Sequence, residues 1–138
     1  MRLLLDTNLV LDVLLARTPF DADGARVMSA VETGVAEGFL CATTVTTIHY
    51  LAAKAADRKT AEKHIGSLLR IFQIAPVTDV ILASALGGKA KDFEDAVLLE
   101  SGRAVAIDAI VTRNPTDFPK SSGIPIHMPA DILRILGL

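Results

Sequence analysis

The stretch Met1-Arg-Leu-Leu-Leu-Asp-Thr-Asn-Leu-Val-Leu-Asp12 indicates a buried strand that passes directly into a helix. Leu3–Leu5 is an apolar run too short for a helix and typical of a parallel strand covered on both faces. Asp6 follows at once, ahead of Thr7 and Asn8, which favour helix starts. A carboxylate is therefore expected at the carboxyl edge of a sheet, where open α/β proteins bind ligands. The alternative is that Asp6 only caps the helix, a role worth about 1 kcal/mol.

Short apolar segments and amphipathic segments alternate along the rest of the chain. Further strands are expected in residues 39–42, 71–77, 108–112 and 124–127, and further helices in residues 21–36, 43–56, 61–72, 80–86, 92–104 and 130–136. Val35 is predicted to face inward, Gly34 and Gly38 to end the second helix, and Thr43 or Thr44 to cap the third. The alternation predicts an α/β fold, a three-layer α/β/α sandwich with a central, mainly parallel sheet. No linker or repeat interrupts residues 1–138, so one domain is expected.

Composition limits the partners that the chain can have. A net charge of −2, from 14 basic and 16 acidic residues, leaves any binding of nucleic acid to a local patch. The hydrophobic fraction of 51% favours burial of some apolar surface against a partner such as a second copy. The only cysteine, Cys41, cannot form an internal disulfide, which predicts a reducing cytoplasm. No run approaches the roughly 18 apolar residues of a membrane span, so no membrane association is expected.

Acidic side chains recur where the chain is expected to reach the carboxyl edge of the sheet. They are Asp6 after the first strand, Asp92, Glu94 and Asp95 at the start of a helix, and Asp117, with Asn114, after the fourth strand. Two carboxylates about 4 Å apart repel each other by roughly 4 kcal/mol at an effective dielectric constant of about 20. A fold keeps such a group mainly when a cation neutralises it, and oxygen ligands select Mg²⁺ or Mn²⁺. Such an ion can activate water and stabilise the departing oxygen of a phosphodiester.

Not every acid in these segments is expected to have the same role. Asp92 precedes a helix in a capping pattern and is interpreted as the cap. Asp95 shares a helical face with Leu99 and Gly102 that should meet the sheet, so its carboxylate is predicted to point inward. Glu94 is interpreted as intermediate between a capping acid and an inward-pointing one. Asp12 lies almost two turns after Asp6 and either approaches the same site or is simply solvated.

Three segments in this order resemble the PIN domain family, the fold of many toxin ribonucleases of the VapC kind. They are LLLDTNLVLD at 3–12, DFEDAVLLE at 92–100 and IVTRNPTDF at 110–118. The resemblance covers nearly the whole chain, since IPIHMPADIL at 124–133 is similar to the last strand and helix of the family. It implies hydrolysis of single-stranded RNA with Mg²⁺ or Mn²⁺ held by Asp6, Asp95 and Asp117. It also implies a cognate antitoxin, and the apolar surplus adds the expectation of a homodimer.

His49 departs from the family pattern, which usually has a glutamate in the sequence small-x-aliphatic-Thr-x-x-Glu. Here Thr43-Thr-Val-Thr-Thr-Ile-His49 places histidine there, and Asn114 occupies a position that is often acidic in relatives. The alternative function is therefore a catalytically weakened PIN domain that binds RNA or a partner. Arg113 is expected to contact an RNA phosphate. Lesser candidates for the site are Asn8, Asp12, Asp92, Glu94 and Thr112.

Overall fold

The computed structural model describes all residues 1–138 and places a five-stranded sheet between two layers of helices. The strands are β1 (Arg2–Leu5), β2 (Glu37–Cys41), β3 (Gln73–Ala75), β4 (Ala109–Val111) and β5 (Ile126–His127). The helices are α1 (Thr7–Leu14), α2 (Asp21–Glu32), α3 (Ala42–Ala55), α4 (Arg58–Ile71), α5 (Asp79–Ala85), α6 (Phe93–Ala104) and α7 (Pro129–Ile135). All four strand pairings are parallel. The predicted α/β sandwich with a central parallel sheet is confirmed.

The strand order β3-β2-β1-β4-β5 places β1 at the centre of the sheet. The chain moves outward from β1 through β2 to β3 and then crosses to β4, on the other side of β1. This order reverses between β1 and β4, and the crevice outside the carboxyl ends of the strands at such a switch point is the usual ligand position in an open parallel sheet. The backbone amide of Asp6 donates to Val111 O at 3.0 Å, so the pairing continues to the rim of this crevice.

The sheet separates two apolar cores, because successive side chains of a strand point to opposite faces. Leu3 and Leu5 pack in a core with side chains of α1, α2, α3, α4 and α7. Leu4 packs on the other face, mainly with α5 and α6. All three leucines have no exposed surface, in agreement with a strand covered on both faces. None of the seven helices has both the length and the apolar character needed to cross a membrane.

The segment between α2 and α3 differs from the prediction. Helix α2 ends at Glu32, ahead of Gly34 in the left-handed region at φ +82°, and Val35 is exposed and not inward-facing. Gly38 lies inside β2, where an added Cβ would come within 2.5 Å of Val31 and 2.7 Å of Phe72. Close packing of the helical layer on the strand therefore explains this glycine, and the prediction that it ends a helix was wrong.

Candidate active site at the crevice between β1 and β4

Asp6 is held at the crevice by bonds to both of its carboxylate oxygens. Its side chain is 6% exposed. Oδ1 accepts a hydrogen bond from the backbone amide of Thr7 at 2.8 Å, and Oδ2 accepts one from the hydroxyl of Thr112 at 2.8 Å. An ordinary helix cap bonds to the second or third amide of the helix. Asp6 instead bonds to the first amide and to a residue beyond β4, so capping alone does not account for its orientation.

Thr112 links Asp6 to the loop that follows β4. Its hydroxyl is buried, donates to Asp6 and accepts from the backbone amide of Asn114 at 3.0 Å. Asn114 precedes the short 3₁₀ turn Pro115–Asp117, and its carbonyl accepts from the amide of Asp117 at 3.0 Å. The position of Asp117 is therefore tied to that of Asp6 through a continuous chain of hydrogen bonds.

The first turn of α6 brings a second group of acids to the same crevice. Asp92 Oδ1 accepts from the backbone amide of Asp95 at 2.8 Å, which confirms Asp92 as the helix cap. Asp95 is half-buried, while Leu99 and Gly102 on the same face are buried. A Cβ added to Gly102 would lie 3.0 Å from Leu4 Cδ2, so this face packs directly on β1. The predicted inward orientation of the face that carries Asp95 is confirmed.

Mutual repulsion acts among these acids. Burial raises the pKa of Asp95 to about 7, with further contributions from the charges of Asp92, Asp6 and Asp117 and from its contact with the Asp92 side chain. Burial also raises the pKa of Asp6, as do the charges of Asp117 and Asp92, although the two hydrogen bonds that Asp6 accepts act in the opposite direction. The pKa of Glu94 is raised by burial and by Asp92 and Asp6. The crevice is therefore short of positive charge near neutral pH.

Lys91 is the basic side chain closest to Asp117, and sequence analysis missed it. Its Nζ lies 3.9 Å from Asp117 Oδ1, and its backbone amide donates to Asp117 O at 2.8 Å. The lysine side chain is 67% exposed, and ion pairs in such a setting contribute about 0–1 kcal/mol. Most of the repulsion in the crevice is therefore left uncompensated by the protein.

The acids do not form a closed metal-binding cluster. No three carboxylate, imidazole or thiolate side chains lie close enough together to hold an ion. The donors of Asp6, Asp95 and Asp117 are nevertheless all carboxylate oxygens, the kind that hard divalent cations prefer. Burial is the main cause of the raised pKa of Asp95, and a cation between the acids would offset the repulsion that adds to it. The chemistry of the donors fits Mg²⁺ or Mn²⁺, although the side chains would have to converge to bind it.

Asp12 forms an ion cluster of its own beside this crevice. Its side chain is 1% exposed, and Arg113 Nη2 donates to Oδ1 at 3.3 Å, while Arg17 lies 3.5 Å from the same oxygen. Arg113 Nε approaches Oδ2 to 2.8 Å as an ion pair, but its N–H is not directed at an acceptor. The guanidinium carbon of Arg113 also lies 4.2 Å from the ring centre of Phe20. The prediction that Asp12 is solvated, one of its two alternatives, was wrong.

A family model described as PIN domain matches residues 2–116. The chain belongs to the PIN domain family. This PIN domain is similar in fold to a DNA-bound VapBC from Salmonella typhimurium, at 13% identity and a TM-score of 0.70, over 94% of this chain and 98% of that chain. It is also similar to VapBC2 from Rickettsia felis bound to a DNA fragment from their promoter. The identity is 11% and the TM-score 0.68, over 93% of this chain and 98% of that chain.

A third solved structure is VapC20 of Mycobacterium tuberculosis, described as a Sarcin-Ricin loop cleaving toxin. It is 13% identical, with a TM-score of 0.62 over 78% of this PIN domain and 86% of that chain. At these identities the three structures establish a shared fold. No curated protein matches the sequence significantly.

The remaining predicted residues of the PIN domain lie around the start of α1 and on α3. Asn8 is exposed and His49 is half-buried. No contact of either side chain tests its predicted role in the site, which stays a prediction. Thr44, expected as a possible helix cap, is buried, and its hydroxyl bonds to that of Thr7 at 2.8 Å. Helix α3 has no side-chain cap. Because the bond between Thr44 and Thr7 joins residues 37 positions apart, no local pattern indicated it.

We predict that Asp92→Ala lowers the free energy of unfolding by about 1 kcal/mol, because it removes the cap of α6. Asp92→Asn keeps a capping acceptor and is expected to stay within about 0.5 kcal/mol of the wild type. Urea unfolding of the two variants measures the difference. If Asp92→Asn abolished any nuclease activity at unchanged stability, Asp92 would act in the site and not only as the helix cap.

Proposed function

We propose that this PIN domain, residues 1–138 as one unit, is a metal-dependent endoribonuclease that cleaves single-stranded RNA. The observation that carries the proposal is the placement of partly buried, mutually repelling acids around the switch point of the sheet. Burial and charge raise the pKa of Asp95 to about 7 in a crevice where the protein provides little positive charge. A divalent cation removes this repulsion, and perturbed carboxylates in a cleft are typical of functional sites.

The side chains of Asp6, Asp95 and Asp117 would hold Mg²⁺ or Mn²⁺. The chemistry that such an ion would supply is activation of water and stabilisation of the departing oxygen of the phosphodiester. Thr112 keeps the Asp6 carboxylate in one orientation through its 2.8 Å hydrogen bond. Asp92 fixes the first turn of α6 and thereby the backbone of Asp95.

Arg113 and Arg17 supply positive charge beside the acids. Together they face one buried carboxylate, that of Asp12, so the cluster carries a net charge of about +1. Their side chains are 27% and 39% exposed, respectively. This surplus supports the proposal that Arg113 attracts an RNA phosphate, even though its guanidinium already has a carboxylate partner.

We further propose that the protein is a cytoplasmic toxin with a cognate antitoxin and that it forms a homodimer. The antitoxin would cover the acidic crevice, and the similar structures from Salmonella typhimurium and Rickettsia felis are VapBC complexes. For the homodimer, the supporting feature is the exposed apolar surface of α5 and the residue after it. Val80 is 68% exposed, Leu82 39% and Leu86 70%.

The alternative is a catalytically weakened PIN domain that binds RNA or a partner. It is favoured by His49 and Asn114 in place of acids and by the lack of a closed set of three ligands. Incubation of the purified protein with a single-stranded RNA pool in EDTA, Mg²⁺ or Mn²⁺ separates the two functions. The nuclease cleaves only with added metal, and Asp117→Asn abolishes the cleavage. RNA that is bound but intact in every condition would favour the alternative.

We predict that His49→Glu increases Mg²⁺ affinity and the rate of any cleavage. A glutamate adds a negative charge and a hard oxygen ligand, whereas an imidazole nitrogen is softer and favours Mn²⁺ over Mg²⁺. Isothermal titration with both metals gives the comparison. His64→Glu makes the same change on α4 and serves as the control. Equal affinities in wild type and His49→Glu would place residue 49 outside the site.

A further inference from the structure

Phe20 is an exposed aromatic residue with an unusual environment. Three of the six aromatic side chains, Phe39, Phe72 and Phe118, are buried in the cores, whereas Phe20 is 48% exposed. The guanidinium of Arg113 covers part of its ring, with the carbon 4.2 Å from the ring centre. A ligand that stacks on the exposed part of the ring would remove apolar surface from water, which is favourable.

Phe20 and Arg113 line a small crevice, here called the Phe20 crevice. It has a volume of about 120 Å³ and lies between α1, the turn before α2 and the start of α7. Its walls include Leu9, Phe20, Asp23, Arg113, Met128 and Ala130. The walls thus combine apolar side chains with three charged ones, since Asp12 also lines the crevice. A space of this size accommodates one planar ring and excludes a folded element of RNA or protein.

The buried carboxylate of Asp12 restrains the Arg113 side chain that forms one wall of the crevice. Asp12 is 1% exposed and contacts the guanidinium at two atoms, at 2.8 and 3.3 Å. The ion pair therefore restrains the guanidinium next to the Phe20 ring, 4.2 Å from the ring centre. A binding surface that is already ordered loses little conformational entropy when a ligand binds.

The Phe20 crevice lies next to the acidic crevice. Arg113 directly follows Thr112, whose hydroxyl bonds to Asp6. Leu9 is three residues after Asp6 on α1, about 4.5 Å along the helix axis. These chain connections place the Phe20 crevice beside the position proposed for the phosphate at the acids.

We propose that the Phe20 crevice is a base-binding subsite for the RNA strand, a proposal that rests on the function proposed above. Bases of single-stranded RNA stack on aromatic rings and on guanidinium planes, and every base offers a flat face. Around the crevice, Asp12 is paired with Arg113 and Arg17, and Asp23 with Arg26, so three arginines face two carboxylates. The net positive charge that remains matches the phosphates that flank such a base. This charge favours a nucleotide over the apolar side chain of a protein partner as the occupant.

The test is binding of a labelled, unstructured RNA of 12 nucleotides by fluorescence anisotropy, with Ca²⁺ as the hard cation. Phe20→Leu keeps an apolar side chain but removes the ring, and we expect it to raise Kd at least about 5-fold, the lower end of base-stacking contributions. Ala130→Leu narrows the crevice without changing the ring and is expected to raise Kd as well. Thermal melting verifies that both variants are folded.

Tyr50→Leu is the matched control. Tyr50 is 63% exposed on α3 and also carries a cation near its ring, since Lys54 Nζ lies 6.0 Å from the ring centre. It does not line the Phe20 crevice. Its replacement is expected to leave Kd within about 2-fold of the wild type, since surface substitutions outside a binding site have small effects.

A second measurement uses a series of RNAs, each with a single abasic nucleotide at a different position. The dependence of Kd on that position reports contact with one base, which misfolding of a variant does not produce. In the wild type, the abasic nucleotide is expected to weaken binding most at one position. In Phe20→Leu the same position should cause no further loss, because the base and the ring form one contact. Additive losses would overturn the proposal, as would an unchanged Kd for Phe20→Leu while the wild type binds RNA.

Two other outcomes are distinguishable from these. If Phe20→Leu binds RNA normally but binds a protein partner more weakly, the crevice is a protein-docking site and the base-binding proposal is wrong. If the wild type binds no RNA with any divalent cation, the proposed nuclease function fails and the base-binding subsite fails with it.

Discussion

Asp95→Asn is expected to abolish RNA cleavage while it stabilises the metal-free protein at neutral and alkaline pH. The substitution removes one proposed metal ligand and one of the charges that repel Asp6 and Asp117. The amide is nearly the same shape as the carboxylate, so the packing of α6 on the sheet is retained. Loss of catalysis together with increased stability is the combination expected of a residue kept for function and not for folding.

The pH dependence of this effect has a defined sign. The pKa of Asp95 is about 7 in the folded protein, against an ordinary value of 3.8. The folded state therefore binds this proton more tightly than the unfolded state, and stability falls as the pH rises from about 4 to about 7. The amide side chain of the Asp95→Asn variant does not titrate in this range. We expect the wild type and Asp95→Asn to have similar stability near pH 4 and to diverge as the pH rises.

Urea unfolding at a series of pH values in EDTA measures this divergence. Asp21→Asn is the control, because it also neutralises an acid in the first turn of a helix, in this case α2. Its stability is expected to follow that of the wild type at every pH. Parallel curves for wild type and Asp95→Asn would show that the Asp95 carboxylate is not under electrostatic strain.

Asp6→Asn is expected to abolish both Mg²⁺ binding and RNA cleavage, with a metal-free stability equal to that of the wild type or higher. The asparagine can still accept from the amide of Thr7, and its side-chain NH₂ then faces the hydroxyl of Thr112. Weakening the bond to Thr112 costs about 1 kcal/mol, because a charged acceptor is lost. Relief of the repulsion with Asp117 and Asp92 offsets that cost.

Asp6→Ala is the comparison that separates charge from shape. It removes both acceptors and leaves the buried amide of Thr7 and the hydroxyl of Thr112 without this partner. A buried donor without a partner costs about 1–3 kcal/mol, so Asp6→Ala is expected to be clearly less stable than Asp6→Asn. If Asp6→Asn were as destabilised as Asp6→Ala in urea unfolding with EDTA, Asp6 would be a structural carboxylate.

Local patterns were sufficient to predict the elements that surround the site. The apolar run Leu3–Leu5 predicted a strand buried on both faces, and the spacing of Asp95, Leu99 and Gly102 predicted the face of α6 that meets the sheet. The cap at Asp92 was also predictable, because capping depends on residues three positions apart. Each of these predictions depends on a pattern within one helix or one strand.

The contacts that orient the site could not be predicted in this way. The bond from Thr112 to Asp6 spans 106 positions, and that from Arg113 to Asp12 spans 101. Both depend on the pairing of β1 with β4, and the sequence alone did not specify the strand order. For the same reason the ion partner of Asp12 was missed, although its spacing from Asp6 placed it near the crevice.

The central claim is that the acids at the ends of β1 and β4 and at the start of α6 form one divalent-cation site. Thermal unfolding of the wild type and of Asp6→Asn, Asp95→Asn and Asp117→Asn, in EDTA and in increasing Mg²⁺ or Mn²⁺, tests it most directly. A ligand at 100 times its Kd stabilises the folded state by about 2.7 kcal/mol. We predict a saturable rise in Tm for the wild type and none for the three variants. An equal rise in all four proteins, or none in the wild type, would contradict the claim.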